Sequence, residues 1–246
     1  MALPPRIAPS QAKVDSQASN TCQVLFIRHG ERADFAADTN IKYDVPSDPP
    51  LTKLGIEQAK EAGRLLKVYI AAQKFDEVII ECSPFIRTVQ TASYIAKELG
   101  HQAPIRVQYR HAEWLFTYYK EDPLPELNIR NRAKEEIVRD YTKGVDFVHF
   151  DEEGFRQLKY PEGDFFDLCE RIRGVSEDLL KTYERSSKRV LHLVATHGAG
   201  VKGFSYSFNT PILPNWCSYC AVSGIEVQGK AWRMIFSEQP LKGPKL

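Results

Sequence analysis

The hydrophobic pattern of this chain alternates short apolar runs with longer segments in which apolar residues recur at helical spacing. The short runs are rich in β-branched residues and too short for isolated helices, so they indicate buried strands. These runs lie at residues 22–27, 75–81, 105–109 and 189–195. The segments with helical spacing predict helices at residues 52–72, 83–99, 127–141, 163–183 and 198–208. The pattern ends with a predicted hairpin, whose strands lie at 221–227 and 230–236.

Strands that alternate with helices are typical of an α/β fold in which most strands are parallel. We therefore expect a three-layer α/β/α sandwich with a mostly parallel central sheet. Two helix starts carry recognisable capping signals. Thr52 is expected at the N-cap of the first helix, and Ser83 is expected at the N-cap of the second, with Pro84 at its first helical position.

Small polar motifs follow three of the predicted strands. They are RHGER at residues 28–32, CSPFIR at 82–87 and THG at 196–198. The carboxyl ends of parallel strands meet at one edge of a sheet, so these motifs are expected to lie together. Together they supply two histidines and three arginines, beside helix N-termini that add partial positive charge. Such a cluster is typical of an anion site, and forked guanidinium donors match phosphate best.

His29 lies between Arg28 and Arg32 in the first motif. Neighbouring cations oppose protonation of the ring and favour neutral imidazole, which is the nucleophilic form. Gly30 is expected to let a ligand approach the backbone closely. Each motif alone also has a purely structural interpretation, as solvated charge at a strand end or as a hydrogen-bonded turn. Their joint placement at one sheet edge favours the anion site.

Composition and charge narrow the class of protein. The 246 residues carry a formal net charge of +1, which gives no reason to expect nucleic acid or acidic membranes as partners. No apolar run approaches the length that spans a membrane. Five cysteines, an odd number, and no signal-peptide pattern predict a reducing compartment, hence the cytoplasm. The CxxC pair at 217–220 is expected on a strand, where its thiols face opposite sides and bind no metal.

Domain organisation follows from where the periodicity begins and weakens. Residues 1–20 show little apolar periodicity and are expected to form a flexible N-terminal tail. Residues 21–246 are then a single domain. Within it, the stretch around 110–160 is less regular and rich in aromatic and charged residues, and we expect an insertion near the polar motifs.

The motifs together resemble the histidine phosphatase superfamily, also called phosphoglycerate mutase-like. The resemblance rests on RHG at 28–30, LTxxGxxQA at 51–59, SPxxRxxQTA at 83–92 and THG at 196–198. Within branch 1 of that family, the motifs are most similar to the phosphatase domain of the suppressor of T-cell receptor signalling (Sts) proteins. The segment 105–114 is similar to the one that carries that group's proton donor, although Gln108 stands where the group often has a carboxylate. The chain has no room for that group's ubiquitin-associated and SH3 modules, so their partners are not expected.

The resemblance implies a mechanism and assigns its residues. It implies a phosphate pocket formed by Arg28, Arg32, Arg87 and His197. It implies that His29 attacks phosphorus to form a phosphohistidine and that Glu113 is the general acid, with His197 also in the catalytic set. Glu113 must then carry a proton, so a raised pKa or a mildly acidic optimum is expected. No metal and no other cofactor is expected.

The side chains after the Arg-His-Gly motif indicate which reaction of the family to expect. Mutases of this family usually carry a serine and a Trp-Asn pair after the Arg-His-Gly, whereas this chain has Glu31, Arg32 and Asp34 there. This favours a phosphatase over a phosphoglycerate-type mutase or sugar bisphosphatase, and over a non-catalytic interaction module. The aromatic stretch 114–119 predicts a pocket mouth suited to phosphotyrosine or a lipophilic phosphate ester, or else a packing segment. Expected partners are a small-molecule or phosphoprotein phosphate ester, and a homodimer is the assembly left open.

Overall fold

One seven-stranded sheet organises the protein. The structure is a computed structural model, and it describes residues 5–8, 14, 20–36, 41–149, 152–211 and 217–241. The strands are β1 Cys22–Arg28, β2 Glu77–Cys82, β3 Ile105–Val107, β4 Phe147–His149, β5 Val190–Thr196, β6 Ala221–Gln228 and β7 Ala231–Pro240. They lie in the order β4-β3-β2-β5-β1-β6-β7. The neighbours from β4 to β1 are parallel, and β6 and β7 are antiparallel.

Helices cover both faces of this sheet. They are α1 Lys53–Gln73, α2 Ile86–Leu99, α3 Asn128–Asn131, α4 Lys134–Asp140, α5 Glu152–Gln157, α6 Phe165–Glu184 and α7 Gly198–Ser207. Side chains alternate along β1, so Leu25 and Ile27 pack in the core with α1 and α2. Val24 and Phe26 point to the other face and pack with α6 and α7. The expected three-layer sandwich with a mostly parallel sheet is confirmed.

The topology brings the three polar motifs to one edge of the sheet. Strand β5 lies between β1 and β2, and all three are parallel. At their carboxyl ends Arg28 pairs with Thr196, and Cys82 pairs with Ala195. The residues that follow these positions therefore converge, as the sequence predicts.

The two predicted helix caps have different outcomes. Thr52 is the N-cap of α1, and its hydroxyl accepts a hydrogen bond from the Gly55 amide at 2.9 Å. The prediction for Ser83 is wrong, because α2 begins at Ile86, three residues later. The Ser83 hydroxyl instead lies 2.7 Å from Nε2 of His197. A buried tertiary partner thus replaces the local capping contact that the sequence suggests.

The stretch 110–160 differs most from the prediction. The helix predicted at 127–141 is two short helices, α3 and α4, separated by extended backbone at Arg132 and Ala133. Strand β4 and helix α5 were not predicted. Strand β4 has three residues at the sheet edge with only Phe147 buried, which is too short for a recognisable alternation.

The described residues near the N-terminus pack against the core. Residues 5–8 lie against the end of α7, where the Ile7 amide donates to the Ser207 carbonyl at 2.9 Å. Most of the predicted tail lies outside the described residues.

The CxxC pair precedes β6 in a turn rather than on a strand, and both Cys217 and Cys220 are buried free thiols. None of the helices in the described ranges is both long and apolar enough to cross a membrane.

Candidate active site

The His29 imidazole is buried at the end of β1. The backbone amide of His29 donates to the Thr196 carbonyl at 2.9 Å, which connects the RHGER motif to β5. Its Nδ1 atom lies 2.6 Å from the Gly30 carbonyl oxygen. A carbonyl only accepts, so Nδ1 carries the proton and Nε2 holds the free lone pair. The ring lies 5.4 Å from the His197 ring, centroid to centroid. His29 is therefore held in the tautomer that a nucleophile at Nε2 requires.

The surroundings of His29 keep this ring neutral. Burial lowers the pKa of His29 well below its ordinary value, and the charge of Arg87, together with His197 and Arg28, lowers it further. The sequence pointed to the neighbouring arginines, whereas burial is the larger cause. The consequence is the same, because neutral imidazole is the dominant form at neutral pH.

Arg87 lies in the first turn of α2 with its side chain fully buried. Its Nη2 donates to Nδ1 of His197 at 3.1 Å, and Nη1 lies 3.9 Å from an oxygen of Asp48. Its Nε and Nη1 have no hydrogen-bond acceptor among the described residues. Buried guanidinium donors without acceptors are costly. This environment favours an anion beside Arg87. Arg87 is therefore not the solvated surface residue that its place in a first helical turn would suggest.

The other two arginines of the predicted phosphate pocket already have partners. Arg28 lies 4.2 Å from the centre of the Tyr219 ring and donates through Nη1 to the Cys217 carbonyl. Arg32 forms a two-pronged ion pair with Asp34 through Nε and Nη2. Both arginines line the same cavity as His29. Their available donors toward an anion are therefore fewer than the sequence suggests.

Glu113 enters the site from the irregular segment after β3. One carboxylate oxygen lies 3.1 Å from Nδ1 of His197 and 3.4 Å from Nη2 of Arg87. Its other oxygen accepts from the Trp114 amide at 3.1 Å. Burial alone would raise the pKa of Glu113, but His197, Arg87 and His29 together hold that pKa well below its ordinary value. The expected raised pKa is wrong for the protein itself, because the cations that suit phosphate also favour the carboxylate.

His197 lies between His29, Arg87 and Glu113. Burial lowers its pKa to about 4, although the neighbouring Glu113 carboxylate opposes this shift. Its Nδ1 accepts from Arg87 while its Nε2 lies within hydrogen-bond distance of the Ser83 hydroxyl. A neutral ring with the proton on Nε2 satisfies these two contacts, whereas the Glu113 oxygen 3.1 Å from Nδ1 calls for the proton on Nδ1 when Glu113 is ionised, so the tautomer of His197 and the protonation of Glu113 are coupled. Ser83 is thus a site residue that the sequence assigned to helix capping.

Three side chains of the site are of types that can bind a metal ion. One ligand atom each from His29, Glu113 and His197 lies within 4.8 Å of the others. Two imidazoles and a carboxylate are a set that zinc accepts. The guanidinium of Arg87 lies against both Glu113 and His197, however, and opposes a cation there. The surroundings therefore suit an anion better than a metal ion.

An aromatic wall encloses the rest of the cavity, whose volume is about 580 Å³. The aromatic residues that line it are Phe35, Trp114, Phe116, Tyr118, Tyr119 and Tyr219. Trp114 stacks on Phe116 at 4.3 Å between ring centroids, and Phe116 stacks on Tyr118 at 5.8 Å. Phe35 and Tyr118 are exposed, at 62% and 59%. The predicted stretch 114–119 therefore lines the pocket, while Phe35 and Tyr219 were not predicted because they come from distant parts of the chain.

Close backbone packing fixes the loop that carries His29. A Cβ on Gly30 would lie 2.3 Å from the Gly55 carbonyl oxygen, so no ligand occupies that space. The expectation that Gly30 admits a ligand is wrong, since the N-terminal turn of α1 takes this position. The Glu31 amide also donates to the side chain of Gln58 at 2.8 Å. Helix α1 thus holds the loop rigidly against the sheet edge.

Comparisons with known proteins agree with this arrangement. The family model described as histidine phosphatase superfamily (branch 1) matches residues 24–238, and the chain belongs to that family. A sequence search of curated proteins found no significant match.

Solved structures show the same fold at low sequence identity. A phosphoglycerate mutase from Bacillus anthracis str. Sterne is 16% identical with a TM-score of 0.57, covering 90% of this chain and 94% of that one. The ecdysone phosphate phosphatase from Bombix mori, in complex with tungstate, is 16% identical with a TM-score of 0.57, covering 92% and 96%. A mycobacterial glucosyl-3-phosphoglycerate phosphatase is 16% identical with a TM-score of 0.53, covering 89% and 99%.

Proposed function

We propose that this member of the histidine phosphatase superfamily is a metal-independent phosphomonoester hydrolase that acts through a phosphohistidine on His29. The observation that carries the proposal is the pairing of a buried neutral His29 with the fully buried Arg87, two of whose nitrogens find no hydrogen-bond acceptor in the part of the chain that the structure describes. A phosphoryl group between them supplies the missing acceptors and receives the nucleophile. Electrostatic positioning of this kind dominates phosphoryl transfer.

The proposed reaction has two half-steps. Nε2 of His29 attacks phosphorus while the bond to the leaving oxygen breaks, and the protonated Glu113 carboxyl gives its proton to that oxygen. Arg28, Arg32 and Arg87 hold the phosphoryl oxygens, and His197, whose ring nitrogens contact Ser83, Arg87 and Glu113, positions Arg87 and Glu113. In the second half-step the Glu113 carboxylate takes a proton from water, whose oxygen attacks the phosphohistidine. Inorganic phosphate leaves and His29 returns to its neutral form.

The substrate class follows from the aromatic wall. We propose an aromatic or apolar ester, such as phosphotyrosine or a lipophilic phosphate, in a small molecule or a phosphoprotein. The stacked Trp114, Phe116 and Tyr118 offer rings for the body of such a substrate while the arginines hold the phosphate. The motif similarity to Sts phosphatase domains and the fold shared with an ecdysone phosphate phosphatase support this class.

The test of the reaction is hydrolysis of p-nitrophenyl phosphate in the presence of a chelator. His29→Ala should abolish the activity, and an acid-labile phosphohistidine should be trapped in the wild type but not in His29→Ala. His101→Ala is the control, because His101 follows the C-terminal end of α2, whereas Arg87 lies at the N-terminal end of that helix. Activity that survives in His29→Ala, or that vanishes in chelator, contradicts the proposal. A wild type that is phosphorylated by a bisphosphoglycerate but does not hydrolyse esters indicates a mutase.

The substrate class is tested separately. Turnover of a phosphotyrosine peptide is compared with that of 3-phosphoglycerate, in the wild type and in Phe116→Ala. We expect the peptide to be preferred, and Phe116→Ala to raise KM for the peptide alone, because only the peptide offers a ring to the wall. A preference for 3-phosphoglycerate rejects the aromatic class and leaves the phosphatase chemistry intact.

A further inference from the structure

We propose that Arg171 of α6, together with its partner Glu162, is a positioning device for Glu113. This inference rests on the proposed function, in which Glu113 is the general acid. Nη1 of Arg171 donates to the carbonyls of Arg110 and Ala112 at 2.8 and 3.1 Å. Its Nη2 donates to the Glu113 carbonyl at 3.1 Å. One guanidinium therefore holds three carbonyls in the segment that delivers the acid.

Glu162 holds the guanidinium and the other end of the same segment. Its carboxylate accepts from Nε and Nη2 of Arg171 at 2.6 and 2.8 Å. It also accepts from the Leu115 amide at 3.2 Å, while the Glu162 amide donates to the Leu115 carbonyl at 2.7 Å. The side chains of Arg171 and Glu162 are only 12% and 9% exposed. The pair is thus a mostly buried clamp, unlike a solvated surface ion pair.

The clamp matters because no regular secondary structure holds Glu113. The residues from 112 to 116 lie between a short helical turn and a turn, without strand or helix hydrogen bonds. Arg171 holds the carbonyls of residues 110, 112 and 113, and the carbonyl of His111 accepts from the Thr196 hydroxyl at 2.9 Å. The carbonyls of 110 to 113 are therefore all held, three of them by Arg171 and one by β5. Catalytic groups lose rate steeply when displaced by about 1 Å, so this backbone anchoring determines whether the Glu113 carboxyl reaches the leaving oxygen.

The dependence of rate on the leaving group distinguishes this role from general structural support. A general acid matters for benzyl phosphate, whose alkoxide is a poor leaving group, and little for p-nitrophenyl phosphate, whose phenolate leaves readily. The measured quantity is kcat/KM, which reports only the first half-step. For Arg171→Lys we expect a loss of about tenfold to a hundredfold with benzyl phosphate and less than about threefold with p-nitrophenyl phosphate.

Two further variants accompany Arg171→Lys. Glu162→Gln keeps the shape of the clamp and should change the substrate ratio in the same direction, which covers the case in which Arg171→Lys fails to fold. Arg173→Lys is the matched control, because Arg173 lies on the same helix and pairs with Glu177 and Glu170. Its ratio should equal that of the wild type. Thermal unfolding of each variant confirms that the compared proteins are folded.

Glu113→Gln separates failure of this inference from failure of the proposed function. Suppose that Glu113→Gln changes the substrate ratio, whereas Arg171→Lys and Glu162→Gln lower kcat/KM equally for both substrates or for neither. The positioning role is then overturned, and Glu113 remains the proposed general acid. If Glu113→Gln itself leaves the ratio unchanged, Glu113 is not the acid and the proposed mechanism fails first. A ratio change shared by all three variants supports both.

Discussion

At the scale of single residues, burial beside cations determines the chemistry of the site. His29 and Glu113 both have lowered pKa values, yet the causes differ. Burial is the main cause for His29, whereas for Glu113 the field of His197 and Arg87 overcomes the effect of burial. A phosphate dianion placed among these groups acts on Glu113 as a like charge and raises its pKa. The bound substrate is thus expected to help protonate its own general acid.

The pH dependence of the rate follows from these directions. The lowered pKa of His29 keeps it nucleophilic into mild acid, so its loss of activity lies well below pH 6.5. The lowered pKa of Glu113 means that its acid form declines as pH rises, so kcat/KM for benzyl phosphate should fall from about pH 5 to 8. For kcat the fall should lie at higher pH. Titration of the substrate phosphate also changes the rate with pH, and it does so equally in Glu113→Gln. The readout is therefore the part of the fall in kcat/KM that the wild type shows and Glu113→Gln lacks. A flat wild-type profile rejects the assignment.

The ion pair between Arg32 and Asp34 predicts competition with phosphate. Asp34 occupies two of the donors of Arg32, and removing its charge should release them toward the anion. For Asp34→Asn we expect the inhibition constant of inorganic phosphate to fall by about threefold to tenfold, with kcat nearly unchanged. Asp44→Asn, which removes a surface partner of Arg132, is the control. A rise in the inhibition constant means that Asp34 orients Arg32 instead.

At the scale of secondary-structure elements, helix α1 and the β1 loop pack backbone against backbone. A Cβ on Gly55 would lie 2.2 Å from the Glu31 carbonyl oxygen. No flexible side chain is there to move aside, so the contact admits only glycine. The clamp of Arg171 is the counterpart on the opposite face of the sheet, where α6 holds the segment of Glu113. Each half of the site is therefore positioned by one helix.

Two glycine-to-alanine substitutions test the packing at Gly55. Gly55→Ala should lower the free energy of unfolding by about 1–3 kcal/mol and reduce activity, because the added methyl displaces the loop of His29. Gly174→Ala is matched, since Gly174 also lies in a helix and its Cβ would meet only a nitrogen of Arg110 at an ordinary 3.5 Å. This change should stabilise by about 0.5–1 kcal/mol and leave activity unchanged. Urea unfolding measures both, and equal effects contradict the packing argument.

At the scale of the whole molecule, the proposed phosphate pocket exists only in the folded chain. Its residues come from the ends of β1, β2 and β5 and from the segment after β3, which are adjacent only because of the strand order. An anion that binds there binds the native state alone and stabilises it by mass action. The cost of burying Nε and Nη1 of Arg87, which have no acceptor among the described residues, is then relieved on binding.

Thermal unfolding in phosphate measures this coupling. At about 100 times its Kd, phosphate should stabilise the wild type by about 2.7 kcal/mol. This corresponds to a rise in Tm of about 5–10 °C for a chain of this size. Arg87→Gln should lose most of the rise, whereas Arg132→Gln, a change near the surface ion pair with Asp44, should keep it. An equal rise in both variants indicates general salt stabilisation and contradicts a pocket built around Arg87.

The parts that the sequence predicted share a local cause. Buried strands and long amphipathic helices have periodicities set by their own geometry, and β1, β2, β5, α1 and α6 were all placed by them. Parallel strand order then predicted that His29, Arg87 and His197 meet. The aromatic stretch 114–119 was predicted as a pocket mouth or as a packing segment, and it lines the cavity.

The remaining features depend on contacts between distant residues, which no local pattern records. Ser83 bonds His197 instead of capping α2, Gly55 fills the space beside Gly30, and Asp34 engages Arg32. The short strand β4 owes its existence to pairing with β3. Local sequence patterns thus establish the layers of the fold and the residue types of the site. The pKa directions and contact partners of those residues come from the fold, because burial and electrostatic fields depend on which atoms are close in space.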